Sequence, residues 1–95
     1  MKVVWGRRAR RDLHELIACI AEDSIQAAEL VAARIFKSAE LLMEVPRAGR
    51  VGRIDGTQEL IALRTPYLLV YRIESETVRV LRVYHGARRW PARFD

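Results

Sequence analysis

Hydrophobic residues in the first half of the chain recur at the three- and four-residue spacing of α-helices. From residue 7 to about residue 22 they fall on one side of a helix, and between residues 25 and 44 they form a wider stripe. Ser24 lies between the two segments and suits the N-cap of the second, because its hydroxyl can accept a bond from a free backbone N–H. The pattern predicts an antiparallel helical hairpin. Cys19 and Met43 fall among the apolar positions and are predicted to lie in the core.

Shorter apolar segments have the character of β-strands. One, KVVW at residues 2–5, precedes the helices, and three follow them at residues 59–63, 67–73 and 77–84. The last two are separated by Glu-Ser-Glu and predict a β-hairpin. The segment PRAGRVGRIDGTQ at residues 46–58 contains three glycines and predicts a loop. The resulting β-α-α-β-β-β order indicates an α+β fold, in which the N-terminal strand and a three-stranded antiparallel sheet share one helical layer.

Both faces of the predicted hairpin are partly apolar. Reading every second residue assigns the faces of its first strand as Tyr67, Leu69, Tyr71 and Ile73 against Leu68, Val70 and Arg72. In its second strand the same rule groups Leu81 and Val83 against Val80, Arg82 and Tyr84. Because two helices can cover only one face, the sequence predicts an uncovered, partly apolar face that needs a partner chain.

Composition narrows the class of protein. The 95 residues are 51% hydrophobic and 31% charged, which suits a single domain over residues 1–95 and argues against disorder. The single cysteine excludes an internal disulfide and a multi-cysteine zinc site, and we expect neither a metal nor another cofactor. The first residues lack the apolar run of a signal peptide, and no uncharged stretch reaches the roughly 20 residues of a membrane span. We therefore expect a soluble, cytoplasmic protein that does not enter a membrane.

The formal net charge of +5 comes entirely from the second half of the chain. Residues 1–45 carry seven basic and seven acidic residues, whereas residues 46–95 carry ten arginines and five carboxylates. Arginine has a planar fork that matches phosphate or carboxylate. The second half is therefore expected to attract an acidic partner, although codon bias explains the arginine excess equally well.

Several motifs together resemble the RelE/ParE superfamily of type II toxin–antitoxin toxins. They are the opening VVWxxxARRDLxEL, the arginine- and glycine-rich loop, GTQELIALRTPYLLVYRI and the terminal VLRVYHGARRWP. They follow in this order over nearly the whole chain. The resemblance implies a RelE/ParE-like fold and a growth-inhibiting toxin that a small cognate antitoxin neutralises by wrapping its helices and sheet.

The superfamily carries two activities on one fold, so the fold does not decide between them. ParE-like members poison DNA gyrase, whereas RelE-like members cut messenger RNA on the ribosome and need a base, an acid and a cation at the reacting phosphate. The only lysines, Lys2 and Lys37, lie outside the region where RelE-like nucleases concentrate them. We therefore expect a gyrase poison. The alternatives are a ribosome-dependent mRNA endonuclease and a non-toxic co-repressor that binds its antitoxin.

Resemblance and charge select the candidate site residues. Arg64 and Arg88 look like two phosphate-binding arginines of RelE-like toxins, and His85 is the only nearby side chain that titrates near neutral pH. These three are the catalytic candidates if the chain is a nuclease. Otherwise the arginines are solvated or bind antitoxin carboxylates, and His85 is a strand-end residue. The residues expected to contact gyrase or the ribosome are Arg47, Arg50, Arg53, Arg64, Arg72, Arg82, Arg88 and Arg89.

The antitoxin is expected to lie along the outer grooves of the two helices and the basic face of the sheet, since the resemblance implies acidic and apolar antitoxin tails. The tyrosines of the hairpin, Tyr67, Tyr71 and Tyr84, have rings that can stack on a base. Packing within the sheet is the commoner explanation for aromatic residues at alternate strand positions.

Overall fold

Two helices lie on a five-stranded sheet in the computed structural model, which describes residues 1–86. The elements are β1 (Lys2–Trp5), α1 (Arg7–Asp23), α2 (Ile25–Glu44), β2 (Arg50–Val51), β3 (Gln58–Ile61), β4 (Tyr67–Glu74) and β5 (Thr77–His85). The strand order is β1-β5-β4-β3-β2; β1 runs parallel to β5, and the other pairs are antiparallel. The predicted α+β fold is confirmed. The two-residue β2 inside the predicted loop is an addition.

The helical hairpin turns on Ser24, as the sequence predicts. The Ser24 hydroxyl accepts from the backbone N–H of Ala27 at 3.1 Å and so caps the start of α2. Its own backbone N–H donates to the carbonyl of Ile20 and ends α1. One extended residue therefore satisfies groups of both helices, which keeps the connection short and lets α1 and α2 pack on each other.

The main core lies between the helices and one face of the sheet. Its buried members are Ala9 and Leu13 of α1, Ile35, Ala39 and Leu42 of α2, Ala62, and Leu69, Tyr71, Val78, Val80 and Val83 of the hairpin. Because these side chains come from every large element, the core fixes the helices over the sheet. No helix within the described residues is long and apolar enough to cross a membrane.

Two residues predicted to lie in the core do not. Cys19 is exposed, because it lies six residues after buried Leu13 and therefore about 240° around α1 from it. Met43 is also exposed; it follows buried Leu42 by about 100° and lies on the outer border of the α2 stripe. The buried stripe of each helix is therefore narrower than the sequence predicts.

A β-bulge overturns the strict alternation predicted for the last strand. Val70 pairs with Arg82, but Tyr71 pairs with Val80, so Leu81 is the extra residue. The extra residue shifts the alternation of faces by one position along β5. Val80 and Val83 therefore both point into the core. The prediction that groups Leu81 with Val83 and opposes both to Val80 is wrong.

The sheet face away from the helices is not the bare apolar surface that the sequence predicts. Its apolar members Leu68, Val70 and Tyr84 are almost fully buried within the chain. Part of the cover comes from the loop before β3, where Ile54 is buried and the backbone of Arg53 bonds to Glu59 of the sheet. The prediction failed because a loop folded back over a sheet cannot be read from strand alternation.

Candidate functional site

The arginine-rich loop between α2 and β3 is built around one buried carboxylate. The Glu59 side chain is 0% exposed. Its Oε1 accepts from Nη2 of Arg50 at 3.0 Å, and its Oε2 accepts from the backbone N–H of Arg53 at 2.8 Å. The Arg53 guanidinium also lies 3.5 Å from Oε1. Because a buried carboxylate must be paired, the loop closes over Glu59 and presents both arginines at the surface.

Tyr71 holds the other end of the same loop. Its hydroxyl donates to the carbonyl of Pro46 at 2.7 Å and accepts from the backbone N–H of Gly49 at 3.0 Å. Burial raises the pKa of the Tyr71 phenol, against the opposing effects of the Gly49 bond and of Arg47. A side chain at Gly49 would place its Cβ 2.6 Å from the Glu59 carbonyl oxygen, so glycine is needed for the close approach. Arg47 is exposed at the start of this loop.

Arginines cross the sheet on the face away from the helices. Arg72 of β4 lies directly opposite Arg79 of β5. Arg50 of β2 lies opposite Glu59 of β3, and Glu59 lies opposite Val70 of β4. Residues opposite each other share a face, as do residues two apart in one strand, so the side chains of Arg50 and Arg72 are on the same face. Arg79 is paired with Glu74 at 2.9 Å. We call Arg50, Arg53, Arg72 and Arg79 the arginine face.

Arg82, one of the residues predicted to contact the target, forms an ion pair with α1. Its guanidinium is mostly buried and forms a bidentate pair with Asp12 of α1, with Nε 2.7 Å from Oδ2 and Nη2 3.0 Å from Oδ1. It also stacks on the Tyr84 ring, 4.6 Å from the centroid. The hydrogen bonds that Arg82 donates to Asp12 raise the pKa of the guanidinium above its ordinary value. Asp12 also accepts from the backbone N–H of Val83, so this group links α1 to β5.

Arg64 occupies a tight turn between β3 and β4. The turn is closed by the Thr65 N–H donating to the Ala62 carbonyl at 3.0 Å, and Arg64 within it has a positive φ of 60°. Two bonds attach the turn to α2: Arg34 Nη1 donates to the Arg64 carbonyl, and the Leu63 N–H donates to the Ser38 hydroxyl. Since a positive φ strains a residue with a side chain, these bonds hold Arg64 in place.

The structure brings His85 to the same end of the sheet as Arg64. His85 pairs with Tyr67 across β4 and β5, and the two rings meet edge to face at 5.5 Å. The following residue, Gly86, donates its N–H to the Pro66 carbonyl. Arg88 and Arg89, the remaining predicted site residues, lie outside the described residues. Within residues 1–86, no group of three His, Cys, Asp or Glu side chains is placed to hold a metal ion.

A groove of about 660 Å³ lies beside the C-terminal half of α2. Its apolar part includes Leu41, Met43 and Leu63, and the Leu63 side chain is strongly exposed. Basic residues lie along it at Arg34, Lys37 and Arg64, with the acidic residues Glu40 and Glu44 also in its lining. The outer edge of β3 borders this groove. β2 pairs only with Gln58 and Glu59, so it does not cover that edge at Ile61.

Three features of this region escaped sequence reasoning. The buried position of Glu59 and the bridging hydroxyl of Tyr71 depend on how the loop folds back. Arg79 escaped because the sequence does not give the register that places it opposite Arg72. A carboxylate in a short strand, six residues after the last of three spaced arginines, is the one signal that points to Glu59 in advance.

Comparison with known proteins identifies the family. The family model described as "ParE toxin of type II toxin-antitoxin system, parDE" matches residues 3–90. The protein named "Putative toxin Y4kP" from Sinorhizobium fredii is 42% identical over 90 residues, which cover 95% of this chain and 93% of that protein.

Two solved structures are similar. A chain of the chromosomal ParDE system from P. aeruginosa has a TM-score of 0.81 at 23% identity, covering 90% of this chain and 95% of that chain, which shows the fold. A chain of the toxin–antitoxin complex RelBE2 from Mycobacterium tuberculosis has a TM-score of 0.62 at 34% identity, covering 88% of this chain and 95% of that chain. The family model's match over residues 3–90 and the 42% identity to putative toxin Y4kP show that this chain belongs to the ParE toxin family of type II toxin–antitoxin systems.

Proposed function

We propose that this toxin acts by binding DNA gyrase and trapping it on cleaved DNA, and that it carries out no bond-breaking chemistry of its own. The observation that carries the proposal is that the carboxylates in the strands are held in ion pairs. Within residues 1–86 the strands contain two carboxylates, Glu59 and Glu74, and both are in ion pairs with arginines. RNA cleavage by a 2′-hydroxyl needs a base and an acid. The strands thus supply cations for binding and no carboxylate for proton transfer.

The target contacts the arginine-rich loop and the arginine face in this proposal. Arg50 and Arg53 keep 61% and 44% of their side-chain surface exposed while Glu59 holds them. Such preformed cations bind an anionic partner without the entropy cost of ordering a loop. Arg82 is left out of the contact surface, because only 12% of its side chain is exposed in the pair with Asp12.

The antitoxin docks in the groove beside α2 in this proposal. The solved structures similar to this chain come from a ParDE system and a RelBE2 toxin–antitoxin complex. The groove suits an antitoxin segment with apolar and acidic residues, because exposed Leu41 and Leu63 lie beside Arg34, Lys37 and Arg64. The segment adds its backbone to the edge of β3 next to Ile61, which no other strand of residues 1–86 covers on its outer side.

A ribosome-dependent mRNA endonuclease is the second candidate, favoured by the placement of Arg64 and His85 at one end of the sheet. The proposals separate in cells that express the toxin without its antitoxin. A gyrase poison keeps its toxicity when His85→Gln removes the titratable ring, and messenger ends stay unchanged. Loss of toxicity in His85→Gln, together with cut messenger for the unmodified protein, would establish the nuclease. No growth arrest by the unmodified protein would favour a non-toxic co-repressor over both.

A further inference from the structure

Two residues of the arginine face lie in register on neighbouring strands. Arg72 and Arg79 are directly opposite each other on neighbouring strands, an arrangement in which like charges repel. Glu74 is paired with Arg79. Arg72 is exposed, and among residues 1–86 it has no carboxylate partner. An anion bound between the two guanidinium groups would relieve this repulsion.

The loop adds two more arginines to the same surface. Gly56, in the loop held by Glu59, approaches Arg72 so closely that a Cβ there would lie 3.9 Å from the Arg72 Nε. Arg50 lies two strands from β4, which is about 10 Å across a sheet. The four guanidinium groups therefore span several strands and can contact more than one anionic group at a time.

The surface between these arginines does not suit recognition of bases. Tyr71 and Tyr84 are almost fully buried, so neither ring is free to stack on an unpaired base. Leu68 and Val70, which lie on the same face, are also buried. What remains accessible is the Arg72 fork, together with the exposed parts of Arg50, Arg53 and Arg79 beyond their pairs with Glu59 and Glu74. Planar guanidinium groups bind phosphate oxygens.

We infer that the arginine face binds the phosphate backbone of duplex DNA directly, without reading its sequence. The inference rests on the proposed function, because a gyrase poison acts where the enzyme holds duplex DNA. The arginines would bind the DNA next to the gyrase surface, so that the toxin bridges enzyme and nucleic acid. Asp55, the exposed carboxylate of the same loop, opposes this binding.

Fluorescence anisotropy with purified toxin and a short labelled duplex of mixed sequence tests the inference. We expect binding that weakens with salt, and Arg72→Gln should reduce the affinity about fivefold and lower the salt slope by about one. Asp55→Asn should strengthen binding. Arg11→Gln is the matched control, because it removes an equal charge from the exposed side of α1 and should have little effect. Thermal melting checks that every variant is folded.

Three results would overturn the inference. They are no binding to duplex at low salt, equal losses in Arg72→Gln and Arg11→Gln, and tighter binding to single-stranded RNA than to duplex. Gyrase inhibition by the same preparations separates this inference from the proposed function. Inhibition without binding to free duplex would leave the gyrase proposal standing and indicate an acidic protein surface as the partner. Duplex binding without inhibition would contradict the gyrase proposal alone.

Discussion

Single residues determine how the arginines are presented. Glu59 is buried in β3 and accepts bonds from Arg50 and from the backbone of Arg53. Tyr71 reaches from the main core to the carbonyl of Pro46 and the N–H of Gly49. Both residues are buried polar groups whose hydrogen-bond partners belong to one loop. The hydrogen bonds that satisfy these groups therefore also hold the loop in its ordered conformation.

We expect the stability of the protein to decrease above about pH 10 through Tyr71. Burial raises the pKa of its phenol in the folded state above the ordinary value of 10.0. A group with a raised folded pKa contributes its full stability below the unfolded pKa, and that contribution is lost as pH rises through the folded pKa. Urea unfolding between pH 8 and about pH 12 measures the effect.

Tyr71→Phe is the control for this pH dependence. It should cost about 1–2 kcal/mol at neutral pH, because two hydrogen bonds to the loop are lost. The variant should also show a smaller decrease in stability above about pH 10. Identical alkaline slopes for the two proteins would contradict the role given to Tyr71.

A second expectation at this scale concerns Arg64. Its φ of 60° is a conformation that glycine adopts freely and other residues adopt under strain. Arg64→Gly should therefore fold at least as stably as Arg64→Ala, with a difference of about 1 kcal/mol in favour of glycine. Thermal melting of the two variants measures this difference. A more stable alanine variant would show that the turn does not hold Arg64 as described.

The elements show which features of the fold are accessible from sequence. Helical periodicity and the Ser24 cap predicted α1 and α2 closely, because both signals are local. The bulge at Leu81 was not predicted, because period-two alternation assumes an unbroken register. The two-residue β2 is set by pairing with β3, which no local pattern reports. The basic character of the loop is a local property and was predictable. The burial of Glu59 depends on how the loop folds back over the sheet, so it was not predictable.

The link between α1 and β5 gives an expectation at the scale of elements. Asp12 holds both the Arg82 guanidinium and the Val83 N–H in a mostly buried position. Asp12→Ala removes the bidentate partner of a mostly buried cation and should cost about 3–5 kcal/mol. In a double-mutant cycle, Asp12→Ala with Arg82→Ala should cost less than the sum of the single variants. Additive losses in urea unfolding would show that the two side chains act independently.

At the scale of the whole molecule, the two proposed interaction surfaces lie on different sides. The groove is formed by α2 and the β3–β4 turn, whereas the arginine face lies on the sheet away from the helices. An antitoxin segment in the groove therefore leaves part of the arginine face to be covered by another segment or by the target. The net charge of +5 favours acidic partners at both surfaces.

A substitution in the groove tests the antitoxin surface separately. Leu63 is 71% exposed, so Leu63→Asp should fold normally. It should weaken antitoxin binding at least about tenfold, because it places a charge in an apolar contact. Val51→Asp is the matched control, since Val51 is an exposed apolar residue outside the groove lining. Calorimetric titration of both variants with the cognate antitoxin measures the effect, and equal affinities would place the antitoxin elsewhere.

The central proposal is that the toxin acts on gyrase by binding. The most direct measurement is the amount of linear DNA released from gyrase on a closed plasmid, after denaturation of the enzyme, with and without purified toxin. We predict that linear DNA increases with toxin and returns to background when antitoxin is added, while messenger on translating ribosomes stays intact. Unchanged plasmid with cut messenger would contradict the account and identify the protein as an endonuclease.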